Sequence, residues 1–488
     1  MAGNRPLWTW SGAAAAGLLA GLALPPWGCP PLLWLALVPV WALGPGPAAL
    51  WGGAAVLVSH RWLLWLHPLD WVGVPLPLSL PLCVVLWGSL GVVAAALVGG
   101  WRLLVQRLGP ERRSTACLAA ALWGLAEVVL AKGPLFWIGL GSAALPGDRA
   151  LAGLAQWIGA GGLAALQLLL AWWLWRWLTA WAAQRSGVWR SASAWLLVVV
   201  LLHAWGWRLL QLQEPVAGAA SRLNVLVLQP AIPTREKFSW SQQQALLRRL
   251  AGAQLQAEQQ GADLLVLPEG ALAVGQTLPH AAEVEVLSGG FREMDGELRS
   301  SVLRFAPGEQ EPVQAIDKHR LVPLGEWIPG GSWLSWAGLS AVGGVSFGEP
   351  SRLLARPAGA VGVAICYEIA DGAALAAATR DGAGWLLASA NLDPYPPQLQ
   401  GQFEALAQLR AIETGRWLVS AANTGPSLLV DPSGAVRQRL STGMAATLPV
   451  QLQVRVGRTG YSRTGELPLL LLAAGAAALR LRSRVRQS

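Results

Sequence analysis

Three side chains with complementary chemistry stand at the ends of apolar, β-prone segments. Glu269 and Lys318 each follow such a segment, and Cys366 ends the segment 361–366. Reactive side chains of α/β folds collect at strand ends. A carboxylate, a cation and a thiol brought together at such ends make a candidate site for acyl transfer.

The three side chains could act together to form and resolve a thioester, each with its own role. A thiol is nucleophilic as its thiolate, so Cys366 needs a base, and Glu269 is the candidate. Lys318 could stabilise the oxyanion of a tetrahedral intermediate. The product would be an acyl-thioester on Cys366, which a second nucleophile resolves.

Each of these features also has a structural interpretation. A lone cysteine in an apolar strand is usually core filler. Taken alone, Pro268-Glu269-Gly270 is a turn and Lys318-His319-Arg320 is a solvated face. The order of glutamate, lysine and cysteine in matched contexts favours the catalytic interpretation.

The composition is that of a membrane protein. The chain is 54% hydrophobic and only 13% charged, against about 25% charged for an average soluble protein. Its 29 tryptophans suit bilayer interfaces. The net charge of +9 forms no compact basic patch with interleaved aromatic residues, so nucleic acid is not an expected partner. The four cysteines make no metal-type pairs, so no metal site is expected.

Apolar segments fill the first part of the chain and recur at its end. Residues 1–215 are predicted to form a membrane domain with seven transmembrane helices, near 8–24, 31–45, 48–66, 77–100, 115–131, 151–175 and 192–212. Residues 458–488 are predicted to hold a linker, an eighth helix at 467–479 and a basic tail. Thirteen residues span only about 20 Å, short of a bilayer core of about 30 Å, so arginines at the end must extend this anchor.

Basic loops set the predicted orientation. Two arginine clusters, at 102–113 and 176–190, flank the fifth and sixth segments. Cytoplasmic loops carry the excess of Lys and Arg, which places both clusters and the two chain ends in the cytoplasm. The domain after the seventh helix then lies outside. Within the segments, Arg61 either contacts a lipid headgroup or lies nearer an interface than these boundaries suggest, and Glu127 in the fifth segment is a similar case.

Residues 216–457 are predicted to form an α/β layered domain. A strand at 222–229, a polar helix at 238–260 and a strand at 263–267 come first. Short strands then alternate with loops and helices, at 299–305, 312–317, 352–356, 361–366, 384–390, 416–421 and 427–431. The stretch 327–350 is rich in Gly, Trp and Ser, and is expected to be a lid or membrane-contacting loop, or else a packed surface loop.

Four blocks of residues resemble the nitrilase, or carbon–nitrogen hydrolase, superfamily. They are Leu267-Pro268-Glu269, Asp317-Lys318-His319, Leu321-Val-Pro-Leu-Gly-Glu326 and Cys366-Tyr367-Glu368. The third block is similar to one membrane branch, the apolipoprotein N-acyltransferases. The resemblance covers nearly the whole chain. It implies an αββα sandwich outside the cytoplasm, attached to a multi-pass helical membrane domain.

The resemblance also implies roles for individual residues. Glu269, Lys318 and Cys366 would be catalytic, and Glu326 and Glu368 would support the lysine and the acid–base network. Tyr367 would lie beside the thiol. The chain departs from the family pattern at Phe238, where Trp is common, at 392–397, and at Phe403, where His is common.

The substrates follow from the resemblance alone. It implies a fatty acyl chain moving from a membrane phospholipid to the cysteine, and then to the α-amine of a diacylglyceryl-modified cysteine at the N-terminus of an apolipoprotein. No cofactor is implied, and the location would be the bacterial plasma (inner) membrane with the catalytic domain on the periplasmic side.

Two other functions stay open at this point. A membrane-anchored amidase or nitrilase would use the same three residues and release ammonia or a free acid. A membrane scaffold or transporter would keep the domain without its chemistry, but a transporter would need paired ionisable residues at mid-membrane.

Overall fold

A computed structural model describes residues 5–70, 74–212, 222–236, 239–323, 325–327, 344–393 and 395–485. The predicted departure at Phe238 and most of the predicted loop 327–350 lie outside these residues. In chain order the membrane-side helices are α1 (Arg5–Ala23), α2 (Pro30–Ala42), α3 (Pro45–Ser59), α4 (Leu76–Leu108), α5 (Arg113–Ala131), α6 (Arg149–Ala152), α7 (Ala155–Ala182) and α8 (Val188–Gln211).

The layered domain contains helices α9 (Trp240–Gln259), α10 (Gly372–Arg380) and α11 (Pro397–Thr414), followed by α12 (Gly460–Thr464) and α13 (Leu467–Val485). Its strands are β1 (Arg222–Gln229), β2 (Leu264–Leu272), β3 (Glu285–Met294), β4 (Glu297–Phe305), β5 (Gln314–Asp317), β6 (Leu353–Leu354), β7 (Val361–Ile365), β8 (Trp385–Ala390), β9 (Leu418–Ala422), β10 (Leu428–Val430), β11 (Val436–Arg439) and β12 (Ala446–Gln453).

Helices lie at each of the predicted membrane segments. Four of them, α4, α5, α7 and α8, are long and apolar enough to cross a membrane. Helix α3 ends at Ser59, earlier than the boundary predicted at 66, because residues 61–66 form a 3-10 turn. Within this turn, the Arg61 guanidinium donates to the Gln398 side chain at 2.9 Å.

Two six-stranded sheets face each other and form the predicted sandwich. Their strand orders are β12-β1-β2-β3-β4-β5 and β11-β10-β9-β8-β7-β6. Side chains alternate along β1, so Val225 and Val227 pack toward the second sheet while Leu226 and Leu228 pack with α9. Helix α9 covers the first sheet, and α10 and α11 cover the second, which completes an αββα arrangement.

Helix α11 is buried on nearly all sides because it lies between the second sheet and the membrane helices. Its Leu399 and Leu406 join the core of the sandwich, while Leu409 and Ile412 pack with membrane-side residues such as Leu151. Its buried side chains include polar ones such as Gln402 and Arg410, and these find hydrogen-bond partners. The layered domain and the membrane-side helices therefore pack against each other through α11.

Polar side chains of α11 also cap α3. The last carbonyl groups of a helix have no partner within it. The Gln398 and Gln402 amides donate to the Ser59 carbonyl at 3.1 and 2.8 Å. These bonds fix the end of a membrane-side helix to the domain that carries the candidate site.

Helix α7 is interrupted at Gly159, which has φ 61° and ψ −175°. A side chain there would meet the Tyr461 ring, since an added Cβ would lie 2.3 Å from it. The break frees the Ala160 amide, which donates to the Glu413 carboxylate of α11 at 2.8 Å. Glycine is therefore required for both the backbone conformation and the contact.

We expect Gly159→Ala to destabilise the protein by roughly 1–3 kcal/mol, because alanine is strained at this φ and collides with Tyr461. The matched control is Gly88→Ala in α4, where nothing lies within 4 Å of an added Cβ. Thermal unfolding in detergent should show a lower midpoint for the first variant only. Equal midpoints for the two variants would contradict this account of the helix break.

Candidate active site

The carboxylate, the lysine and the cysteine predicted from the sequence lie together where the two sheets face each other. Lys318 directly follows β5 and Cys366 directly follows β7. Glu269 lies within β2, which continues past its predicted end to Leu272. The pairing of β2 with β3 shifts between Leu267 and Leu272, and such an irregularity re-aims a side chain at an active site.

The Lys318 ammonium is buried between two carboxylates. Its Nζ lies 2.7 Å from Glu269 Oε1 and 2.8 Å from Glu326 Oε1. Only 1% of the lysine is exposed. Burial alone would lower the pKa of Lys318, but the charges of Glu269 and Glu326 outweigh it and hold this pKa well above its ordinary value. The lysine is therefore a fixed cation.

Backbone amides orient both carboxylates. The Asn391 amide donates to Glu269 Oε2 at 3.1 Å, and the Val322 amide donates to Glu326 Oε2 at 2.9 Å. Each carboxylate thus uses one oxygen for the lysine and the other for the backbone. Buried charges need such complete pairing, because an unpaired one is costly.

Cys366 has φ 54° and begins a 3-10 turn that runs to Ala370. A non-glycine residue in this region of φ is strained, and such strain clusters at functional sites. Burial and the charges of Glu269 and Glu326 raise the pKa of the Cys366 thiol well above its ordinary value, and Lys318 only partly offsets them. A resting thiol of this kind is protonated and needs a base, and Glu269 is its hydrogen-bond partner.

Glu368 joins the lysine segment to the cysteine turn. Its Oε1 accepts the His319 amide at 2.7 Å, and its Oε2 accepts the Ile365 amide at 2.9 Å. The buried Arg352 guanidinium donates to both oxygens at 3.0 Å. These contacts position the two segments through their backbone, which makes Glu368 a positioning residue.

Tyr367 belongs to an aromatic cluster that includes residues from the membrane side. Its hydroxyl lies 3.0 Å from that of Tyr395, and its ring lies 5.1 Å from Phe136 and 6.3 Å from Trp62. Burial raises the pKa of both phenols. The Phe403 ring stacks on that of Phe136 with centroids 5.2 Å apart. The cluster therefore forms an apolar surface on one side of the site.

Sequence reasoning did not assign Trp62, Phe136, Tyr395 or Phe403 to the site. One feature of the sequence could have pointed to two of them: Tyr395 and Phe403 lie where the chain departs from the family pattern. Of the segment 392–397, Pro394 lies outside the described residues. Sequence reasoning also did not identify Arg320, which links the layered domain to the membrane side. Its guanidinium pairs with Asp371 and donates to the Ala131 carbonyl of α5.

The sequence of the chain was compared with those of known families and proteins. The model of the carbon-nitrogen hydrolase family matches residues 276–461, which include Lys318 and Cys366 and begin after Glu269. The apolipoprotein N-acyltransferase of Prochlorococcus marinus (strain MIT 9313) is 49% identical over 94% of this chain and 93% of its own. The protein of the same name from Parasynechococcus marenigrum (strain WH8102) is 50% identical over 92% and 96%.

Among solved structures, Saccharomyces cerevisiae Nit3, a member of branch 10 of the nitrilase superfamily, aligns with a TM-score of 0.37 at 15% identity. The alignment covers 48% of this chain and 93% of Nit3.

Alkylation of Cys366 by iodoacetamide is expected to keep accelerating between about pH 7 and about pH 10, because the pKa of its thiol lies above the usual value of about 8.5. Glu326→Gln removes a charge that raises this pKa, so it should speed alkylation at a given pH. Lys318→Met removes the charge that lowers it and should slow alkylation. Mass spectrometry of the Cys366 peptide measures each rate.

The urea-unfolded protein is the control, since its Cys366 should show an ordinary thiol profile. A folded protein whose alkylation rate levels off near the same pH as the unfolded chain would contradict the assigned electrostatics.

Proposed function

The chain belongs to the apolipoprotein N-acyltransferase family, and we propose that Glu269, Lys318 and Cys366 carry out its acyl transfer. The donor is a membrane phospholipid. The acceptor is the α-amine of the diacylglyceryl-modified cysteine that begins an apolipoprotein. The chain is an acyltransferase with a covalent intermediate, and its two steps use the same three side chains.

In the first step, Glu269 takes the proton of the Cys366 thiol while the sulfur attacks the ester carbonyl carbon of the phospholipid. Lys318 stabilises the negative charge on the carbonyl oxygen. The ester C–O bond breaks, and Glu269 returns the proton to the departing lysophospholipid oxygen. A thioester on Cys366 remains.

In the second step, the neutral α-amine of the apolipoprotein attacks the thioester carbonyl carbon. Glu269 takes a proton from the nitrogen as the amide bond forms. The C–S bond then breaks, and the sulfur regains its proton from Glu269. Electrons are neither gained nor lost, so the chemistry requires no redox cofactor.

The observation that carries this proposal is the buried Lys318, held 2.7 and 2.8 Å from two carboxylates beside a buried thiol. The aromatic cluster around Tyr367 restricts water on one side of this site. Exclusion of water favours transfer to an amine over hydrolysis. Since two of its rings, Trp62 and Phe136, come from the membrane side, the site is suited to a lipid substrate.

We also propose how the chain lies in the plasma membrane. Residues 1–215 and the apolar part of α13, 467–479, are inserted, and residues 216–457 form the catalytic domain on the periplasmic side. Helix α13 itself runs on to Val485, beyond the predicted end at 479. The basic clusters at 102–113 and 176–190 support this orientation. They lie at the ends of adjoining helices and in the short turns between them, and such basic regions face the cytoplasm. The site then faces the outer leaflet, where modified apolipoproteins are exposed.

Cys366→Ala should abolish transfer to a diacylglyceryl-cysteine peptide, with a loss of more than about a thousandfold, because the covalent route disappears. Cys117→Ala is the matched control and should keep full activity. Mass spectrometry of the peptide product measures transfer, and thermal unfolding checks the fold. Full transfer by a folded Cys366→Ala protein would refute the thioester route, and ammonia release from simple amides with no transfer to the peptide would favour the hydrolase.

The orientation is tested by labelling single cysteines in a background that lacks the four native ones. Val313→Cys lies on an exposed part of the catalytic domain, and Ser186→Cys lies on the exposed turn between α7 and α8. In intact spheroplasts, a membrane-impermeant maleimide should label the first and not the second. Labelling of the second alone would invert the proposed topology.

A further inference from the structure

Arg61 stands at the boundary between the membrane-side helices and the layered domain. It begins the 3-10 turn 61–66 that follows α3, and its side chain is partly exposed. Among the described residues, the only hydrogen bond of this side chain runs from Nε to Gln398 at 2.9 Å, and no carboxylate pairs with it. Its two terminal nitrogens are therefore open to a ligand.

The guanidinium is held by groups that leave these terminal nitrogens open. The Gln398 amide that accepts Nε is buried, and it donates to the carbonyls of Val58 and Ser59, both at 3.1 Å. The guanidinium carbon also lies 5.7 Å from the centre of the Trp27 ring, which is a cation–π distance. An arginine fixed in this way presents its terminal nitrogens as a pre-formed fork, the geometry that binds a phosphate through two bonds.

Two features indicate that the turn carrying Arg61 lies at the level of the lipid headgroups. Trp27 and Trp65 are 52% and 54% exposed, and exposed tryptophans are enriched at this level of a membrane. The Arg235 guanidinium of the layered domain donates to the His67 carbonyl, directly after the turn, at 3.4 Å. A turn in contact with the layered domain lies outside the bilayer interior, where the anions that meet Arg61 are the phosphates of phospholipids.

The same turn approaches the nucleophile. Trp62 follows Arg61, and its ring lies 6.3 Å from that of Tyr367 and 5.5 Å from that of Tyr395. Tyr367 in turn follows Cys366. In a phospholipid only glycerol carbons separate the ester bonds from the phosphate, so a phosphate site must lie close to the thiol. Arg61 suits this requirement, because the aromatic cluster around Tyr367 is what lies between them.

We propose that Arg61 binds the phosphate of the phospholipid donor and thereby selects the donor for the first step. This proposal rests on the proposed function, since it names how that reaction recognises its donor. The acceptor, a diacylglyceryl-modified cysteine, carries no phosphate, so a cation at this place favours the donor over the acceptor. Arg61 therefore acts on formation of the thioester and not on its discharge.

The test follows acylation of Cys366 in the full-length protein by mass spectrometry, with phosphatidylethanolamine below saturation and no acceptor. Arg61→Gln should lower the acylation rate by about ten- to a hundredfold, the range expected when a hydrogen bond between charged groups is lost. Arg61→Lys keeps the charge without the fork and should lose less. Arg208→Gln removes an exposed cation from the last turn of α8 and, as the matched control, should leave the rate unchanged.

Three further readouts separate phosphate binding from a merely structural role. The donor p-nitrophenyl palmitate has no phosphate, so it should acylate the Arg61→Gln variant and the unmodified protein at equal rates. Once formed, the thioester of the variant should pass to a diacylglyceryl-cysteine peptide at the normal rate. Phosphatidylglycerol shares the phosphate of phosphatidylethanolamine but not its amine, so the variant should lose the same factor with both lipids.

An unchanged acylation rate in the Arg61→Gln variant would overturn the proposal. An equal loss with p-nitrophenyl palmitate, a slowed discharge to the peptide, or a loss with only one of the two lipids would overturn it as well. If the unmodified protein forms no acyl adduct on Cys366 from either phospholipid, the proposed function fails instead, and the two failures are distinguishable.

Discussion

The buried ammonium of Lys318 is the interaction on which the rest of the site depends. It joins Glu269 in β2 to Glu326 in a separate segment, at 2.7 and 2.8 Å, and it stands beside the thiol that follows β7. Breaking such a pair by removing one partner typically costs about 3–5 kcal/mol, because it leaves an uncompensated buried charge. Strands β2, β5 and β7 must therefore be placed correctly relative to one another before the lysine can be buried.

The same arrangement explains how a thiol with a raised pKa can react. In the proposed mechanism, when Glu269 takes the thiol proton, one negative charge disappears from the carboxylate and another appears on sulfur. The net charge of the buried site stays constant, so no additional charge has to be desolvated. Lys318 stabilises the charge in either location. Burial, which suppresses spontaneous ionisation of Cys366, thus does not prevent proton transfer within the site.

The membrane helices form part of the site as well as anchoring it. Their aromatic residues Trp62 and Phe136 complete the cluster around Tyr367, and Gln398 and Gln402 of α11 cap the end of α3. The break at Gly159 lets α7 reach Glu413. These contacts give the membrane side a fixed geometry relative to Cys366.

Sequence reasoning recovered the elements whose signals are local. The fold class and the strands leading to Lys318 and Cys366 follow from apolar, β-prone runs, and the family resemblance supplied the roles. Strand β3 was missed because Gly289 and Gly290 interrupt its pattern. Gly289 is needed there, since an added Cβ would lie 2.5 Å from Glu269 Cα. Strand β12 was missed because it contains Pro449, which is tolerated at the edge of a sheet.

The contacts that local signals do not encode are tertiary. Nothing in the neighbourhood of Phe136 or Tyr395 in the sequence indicates that their side chains meet at Tyr367. Glu368, which was expected to support the acid–base network, accepts backbone amides of both segments. Arg61, which was expected to contact a lipid headgroup or to lie near an interface, donates to the Gln398 side chain. Such partners become visible only when distant segments are packed together.

The most direct test of the central claim is mass spectrometry of the protein after incubation with phospholipid alone. The mechanism predicts a fatty-acyl mass on the Cys366 peptide that hydroxylamine removes and that a diacylglyceryl-cysteine peptide discharges into an amide. A reactive Cys366 that acquires no acyl group under these conditions would contradict it.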